Sequence, residues 1–346
     1  MSEWKVELVQ IQEMEKHPNA DSLSITKIHG GYPVILRTED WNVGDWAIYV
    51  PVDSNVPRAE WSEFLFPLDK PERQIERVRA KKLRGIFSMG LCQPLGKLID
   101  WYGEGLVGPD SIEAYQQVDW AKLLGITKWE PPDESDTNGM VESDPGTLSV
   151  YDIDGLRRYS HIFQPDEEVV MTEKIHGANG RWFWHDGKFY AGGRTQYHKY
   201  DPERPTIWWT IAKRYDLEEV LREFPHIALY GEVYGKVQQL RYGLGNQIDV
   251  VFFDARHLGN REFLDYDVFQ AIVGSIFGLP TVPELYRGPF LLETAYELAE
   301  GPSTMPKADH VREGVVIKPV VERWDPEVQR VILKLHGEGY LTNKNA

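Results

Sequence analysis

Up to about residue 98, apolar positions come in short runs separated by turn residues. Lys5-Val6-Glu7-Leu8-Val9, Leu23-Ser24-Ile25-Thr26-Lys27-Ile28, Tyr32-Pro33-Val34-Ile35-Leu36 and Trp46-Ala47-Ile48-Tyr49-Val50 read as strands. His17-Pro18-Asn19, Gly30-Gly31 and Val43-Gly44-Asp45 read as the turns between them. So many short strands in so small a segment predict a small barrel over residues 1–98. In Arg77-Val78-Arg79-Ala80-Lys81 base alternates with small apolar residues. One strand there would put all three cations on a single face, where a phosphate backbone could lie.

The pattern lapses over residues 99–165, which are aromatic, acidic and aperiodic, with Trp129-Glu130-Pro131-Pro132-Asp133-Glu134 and Asp144-Pro145-Gly146 as punctuation. A linker is expected, with one short helix around Trp120-Ala121-Lys122-Leu123-Leu124. Over residues 166–346 both periods occur. Asp216–Phe224 and Asp267–Val273 space apolar residues three and four apart, as amphipathic helices do. Ala228–Tyr230, Ile248–Phe253, Gly314–Ile317 and Arg330–Leu333 read as buried strands. The expected class is α+β, with antiparallel sheets flanked by helices.

A chain of 346 residues and 39.9 kDa has enough length for two domains, each with a core of its own. The one cysteine, Cys92, excludes an intrachain disulfide and a cysteine zinc cluster, and fits a reducing compartment. No apolar signal core opens the chain and no run is long enough to span a bilayer, so a soluble, cytoplasmic monomer is expected. The net charge of −16 argues against nucleic acid held over the whole surface. Charge is uneven, however. Acid gathers in Asp133-Glu134-Ser135-Asp136 and Asp152-Ile153-Asp154, and base in Arg73, Arg77, Arg79, Lys81, Lys82 and Arg84, so a local basic face is compatible with an acidic whole. Gly243-Leu244-Gly245-Asn246-Gln247-Ile248 lacks the third glycine of a dinucleotide loop, and the histidines lack zinc-site spacing.

The most informative chemistry lies in Thr172-Glu173-Lys174-Ile175-His176-Gly177-Ala178-Asn179. Glu168–Thr172 favours a strand, and Gly177 with Asn179 breaks it just after the lysine. Lys174 is therefore placed at a strand end facing a cleft. An ammonium is not nucleophilic, and its proton is lost only where burial, a neighbouring cation or a metal disfavours the charged form.

Glu-Lys-Ile-His-Gly-x-Asn resembles motif I of the covalent nucleotidyltransferases, the superfamily of polynucleotide ligases and capping enzymes, and its histidine is similar to that of the nick-sealing RNA ligases. Five further segments follow in the order of that superfamily. Gly192-Gly193-Arg194-Thr195 resembles motif Ia, Tyr230–Gly235 motif III, Val251-Phe252-Phe253-Asp254 motif IIIa, Arg312–Pro319 motif IV and Arg330–His336 motif V. The amino-terminal pieces His17–Leu23 and Lys82–Gly90 resemble OB-fold domains of the tRNA-binding type.

The resemblance implies an ATP-dependent RNA ligase acting through a lysyl-adenylate on Lys174, with Mg²⁺ or Mn²⁺. Glu313 and Glu232 would bind the metal, and Lys334 would contact the α-phosphate and help keep Lys174 deprotonated. Glu173 would read the adenine amino group, Phe253 would stack on the base, and Asp254 would support the site from behind. His176 and Asn179 would serve the ribose, Arg194 a phosphate or the nick, and Lys318 the nucleotide. His336 stands where the common pattern has a second lysine, and its role is left open. The implied partner is a nicked duplex with RNA at the 3′-hydroxyl side. DNA ligases and capping enzymes place the OB domain after the catalytic one, opposite to the order here. A non-catalytic tRNA-binding adaptor would leave Lys174, Glu232, Glu313 and Lys334 unexplained.

Overall fold

A computed structural model describes residues 4–70, 72–102, 112–129 and 140–343. The chain divides into two compact units, Ser2–Pro131 and Pro132–Ala346. The acidic stretch Asp133–Asp136 lies outside the described residues.

In the amino-terminal unit, Trp46–Val50 pairs antiparallel with both Glu7–Gln10 and Leu91–Pro94, while Leu23–Ile28 pairs with Tyr32–Arg37 and Glu15–Lys16. Val34, Leu36, Ala47, Tyr49, Ile28 and Trp41 fill one apolar cluster. Residues 99–165, expected as linker, contribute to both units. The helix Trp120–Leu124, capped by Asp119, buries Trp120 and Leu124 beside Leu95 and Leu98 of the first unit. Asp154–Gly155 and Leu156–Tyr159 belong to the second.

The basic segment does not run as one strand. Pairing with Ser54–Pro57 ends at Val78, and Lys81–Leu83 then folds back on Ile86–Ser88 as a separate hairpin. Its two turn residues, Arg84 and Gly85, both have positive φ, as a tight two-residue hairpin turn requires. Arg77 is held by Asp53 at 2.7 Å and lies over the Trp129 ring at 3.1 Å, so it does not share a free face with Arg79 and Lys81. The exposed base sits instead at Arg79, Lys81, Lys82 and Arg84. The two segments that resemble an OB domain meet here: the His17 ring contacts the Leu83 carbonyl at 3.2 Å, and Asn19 Nδ2 donates to the Arg84 carbonyl at 2.9 Å.

The second unit is built on two sheets. One has five strands in the order Asp154–Gly155, Leu333–His336, Gly314–Pro319, Glu168–Lys174, Glu284–Pro289, antiparallel except for the first pair. The other has six antiparallel strands, Val141–Glu142, Tyr197–His198, Lys188–Gly192, Ala178–His185, Ile227–Gly235 and Ile248–His257. Trp182, Leu229 and Phe252 of the second sheet pack with Trp208, Ile211, Leu217, Leu221 and Phe269. These come from the helices Ile207–Arg214 and Leu217–Glu223 and from Tyr266–Phe269, which continues as π-helical turns through Gln270–Ile276. Val169, Met171, Val315, Ile317, Leu333 and Leu335 of the first sheet form another core with Ala295 and Ala299 of the helix Leu292–Ala299. The last long strand starts at Leu333 rather than Arg330, because Val331 N donates to Arg323 O and Arg330 turns its guanidinium onto Asp254 at 2.7 Å.

Candidate active site

Register determines which side chains share the cleft. Lys174 pairs with Gly314, which pairs with His336; one step down, Thr172 pairs with Val316 and Val316 with Lys334. Side chains alternate along a strand, so Lys174, His336 and Lys334 lie on one face of the five-stranded sheet, and Glu173, Val315 and Leu335 on the other. Glu313 enters from the residue before Gly314, and its Oε1 lies 2.8 Å from Lys174 Nζ and 3.4 Å from His336 Nε2. Oε2 lies 3.7 Å from His176 Nδ1 and is buried without a hydrogen-bond partner.

Glycines allow this convergence. A Cβ on Gly314 would meet the Leu335 carbonyl at 2.0 Å, and one on Gly177 would meet the Val233 carbonyl at 2.1 Å and Glu232 Cγ at 3.1 Å. Gly177 thus lets the turn after Lys174 close against the strand carrying Glu232. Gly177→Ala is expected to force the two apart at a cost of about 1–3 kcal/mol, as overpacking does. A urea midpoint equal to that of the wild type would contradict it.

The electrostatics are those of a desolvated cluster. Burial opposes the Lys174 charge, but Glu313 and Glu232 outweigh it and raise the lysine pKa. Burial would raise Glu313, yet Lys174, His176 and His336 together hold it well below the usual carboxylate range. Glu232 is pushed up to about 7, mainly by burial and then by Glu313, with Lys174 opposing. Burial lowers the pKa of His336. For His176, burial is outweighed by Glu313 and Gln239, which raise its pKa. The charges that set Lys174 are therefore carboxylates, and Lys334 does not hold it deprotonated in the ligand-free protein. Lys174 rests as an ammonium paired to Glu313.

Two expected nucleotide contacts are engaged elsewhere. Glu173, on the opposite face from Lys174, is buried and accepts from Ser303 Oγ, Thr304 Oγ1 and, at 2.7 Å, Thr304 N. All three donors belong to the loop 300–312 that follows the helix Leu292–Ala299, so in the ligand-free protein Glu173 anchors that loop. Arg312, just before Glu313, holds the same loop through the carbonyl of Pro302 and the helix through that of Leu298. Lys318 is 5% exposed and pairs with Asp254 at 3.3 Å and Glu322 at 3.5 Å. With Arg330 and Tyr151 it satisfies Asp254 in a buried network behind the cleft.

Asn179 pairs with Glu232 across the six-stranded sheet, its Oδ1 buried without a partner, and its carbonyl accepts from Trp208 Nε1 at 2.9 Å. Arg194 is half-exposed and faces Asp152 at 3.1 Å. Phe253 is half-buried, edge-on to Tyr151 with ring centroids 5.1 Å apart. Asp154 lies beside the Lys334 strand; burial raises its pKa while Lys334 opposes. His336 could have been placed from sequence, because it stands two residues after Lys334 on the same strand face. Tyr151, Asp152, Gln239, Tyr242 and Tyr340 carry no local signal.

Strand order, sheet register and a lysine paired to a buried glutamate at one sheet end define a nucleotidyltransferase-type catalytic domain preceded by an OB-fold domain. Residues 167–336 match the family of RNA ligases, and residues 6–95 match a family of OB-fold domains. Among solved structures, the apo form of a point mutant of Naegleria gruberi RNA ligase is 21% identical with a TM-score of 0.80, covering 97% of each chain. A second mutant of that ligase, solved with ATP and manganese, is 21% identical with a TM-score of 0.80, over 97% of this chain and 98% of that one. The same ligase solved with pyrophosphate is 21% identical with a TM-score of 0.79, over 98% of both. These likenesses are of fold. No curated protein matches the chain. Among the described residues no helix is long and apolar enough to cross a membrane.

Proposed function

We propose that the chain is an ATP-dependent RNA ligase of the nick-sealing type, which joins a 3′-hydroxyl RNA end to a 5′-phosphate through a lysyl-adenylate on Lys174. The observation that carries this reading is the 2.8 Å pair of Lys174 and the buried Glu313, with Glu232 behind it and Lys334 on the same sheet face, in a domain that matches the RNA ligase family.

Glu313 and Glu232 are the residues that would hold a divalent cation. The donor set fits: Glu313 Oε2 is buried and unpartnered, and no group of three or more protein ligands exists among the described residues. Such a site suits Mg²⁺ or Mn²⁺, which take one or two carboxylates and complete their shells with substrate oxygens and water. The metal, when bound, neutralises charge on the phosphate oxygens.

Lys174 must lose its proton before it attacks. Were Glu313 committed to a cation, the main counter-charge of Lys174 would be withdrawn, and burial would then favour the neutral amine. Nζ then attacks the α-phosphorus in line, the bond to pyrophosphate breaks, and Lys334 stabilises the charge on the α-phosphate oxygens. AMP passes from the lysine to a 5′-phosphate end, and the 3′-hydroxyl displaces it. Arg194, half-exposed beside Asp152, is free to exchange that carboxylate for a phosphate, and Phe253 offers its ring to the base. Asn179 and His176 serve the ribose side.

The nick-sealing assignment is tested with two duplexes that differ only in the 3′-hydroxyl strand. Sealing is expected to be faster with RNA at that end, since the 2′-hydroxyl distinguishes the two nucleic acids locally. Equal rates on an all-DNA nick would favour a DNA ligase.

A further inference from the structure

The reaction described above uses Lys174, Glu313 and Lys334 but leaves unexplained how Glu313 keeps one oxygen open while buried among cations. Two histidines flank it, His336 on the Oε1 side and His176 on the Oε2 side. Both rings rest against Tyr340. The Tyr340 ring lies nearly parallel to His336, at 18° with centroids 6.1 Å apart, and edge-on to His176 at 5.6 Å. Its hydroxyl lies 3.2 Å from His176 Nδ1, while Glu313 Oε2 is 3.7 Å from the same nitrogen. The hydroxyl thus takes the hydrogen bond that the carboxylate would otherwise compete for. The other imidazole nitrogen, Nε2, is held by Gln239 Oε1 at 3.0 Å, and the His176 backbone N–H donates to Tyr242 OH at 2.7 Å. The ring is therefore held at both nitrogens, with Nδ1 3.7 Å from Oε2.

Tyr340 is itself fixed. It sits on the short helix Glu338–Leu341, whose first amides, Glu338 N and Gly339 N, donate to the Glu300 carboxylate, and Gly337 N donates to the Glu313 backbone carbonyl at 3.0 Å. The helix is thus tied to the residue whose carboxylate it serves. We propose that Tyr340 is a positioning residue for the Glu313 carboxylate, acting through His176 and His336 to keep Oε2 open for a divalent cation. The inference rests on the ligase reading and identifies a determinant of metal affinity outside the matched motifs.

The test uses the full chain and reads metal binding directly. Free Mn²⁺ is followed by electron paramagnetic resonance while Mn²⁺ is titrated into protein held with α,β-methylene ATP, which cannot give up AMP. Tyr340→Phe keeps the ring against both histidines and removes only the hydroxyl. It is expected to weaken Mn²⁺ binding about tenfold, as loss of an outer hydrogen bond to a metal site does. The melting temperature should stay unchanged, and the adenylylation rate should recover at saturating Mn²⁺. Gln239→Met, at an exposed position, releases the other side of His176 and should weaken Mn²⁺ in the same direction. Wild-type Mn²⁺ affinity in both variants, or a rate loss that saturating Mn²⁺ does not restore, would overturn the proposal. Failure of the ligase reading itself would look different, because the wild-type protein would then take up no AMP.

Discussion

Lys174→Ala is expected to abolish covalent capture of AMP while leaving the fold intact. The side chain lies at the end of its strand, at the surface of the cleft rather than in a core, and its neighbours Ile175 and Met171 carry the packing. Removing it also leaves Glu313 buried without its main counter-charge, so the carboxylate pKa should rise from its depressed value. Lys174→Arg should be equally inert, because a guanidinium does not give up its proton at any working pH. Both variants should keep the wild-type circular dichroism spectrum. Labelling retained in either one would mean that another group is the nucleophile.

Glu313→Gln and Lys334→Ala come next in size, each expected to lower the adenylylation rate by about a hundredfold or more, the usual cost of removing one preorganised electrostatic group. They should fail differently. Glu313→Gln preserves shape but removes the charge that pairs with Lys174 at 2.8 Å and the open oxygen for a metal, so raising Mn²⁺ should recover little. Lys334→Ala leaves the carboxylate intact, so its Mn²⁺ dependence should remain that of the wild type while the maximal rate falls. Rates near wild type in both variants would remove these residues from the site.

The strands carrying Lys174 and Glu313 are legible in sequence because their runs are apolar on both faces and each is punctuated by a glycine. Period-two alternation also places Lys334 and His336 together. The same alternation puts Glu173 on the face away from Lys174, a local rule that the motif resemblance overrode. The place of Arg77 is not legible for another reason: its strand ends where Asp53 and Trp129 take its charge, and neither partner is near it in sequence. Residues 150–155 look aperiodic because they pack by long-range contacts, such as Tyr151 to Asp254, 103 residues apart, and Asp152 to Arg194. Tyr340 is invisible for the same reason, since its meaning depends on two histidines, one from the turn after Lys174 and one from the end of the Leu333–His336 strand. Lys318 shows the converse. It has the position expected of a nucleotide contact, but Asp254 and Glu322 pair with it in the ligand-free protein.

Mapping the adduct tests the central claim most directly. Wild-type protein is incubated with α-labelled ATP, pyrophosphatase and Mn²⁺, denatured, digested and analysed by mass spectrometry, and the labelled peptide is tested for acid lability. The account predicts one AMP per chain, carried on Lys174 as an acid-labile phosphoamide and discharged when pyrophosphate is added back to the native protein. AMP on any other residue, an acid-stable ester linkage, or nucleotide that washes away on denaturation would contradict it.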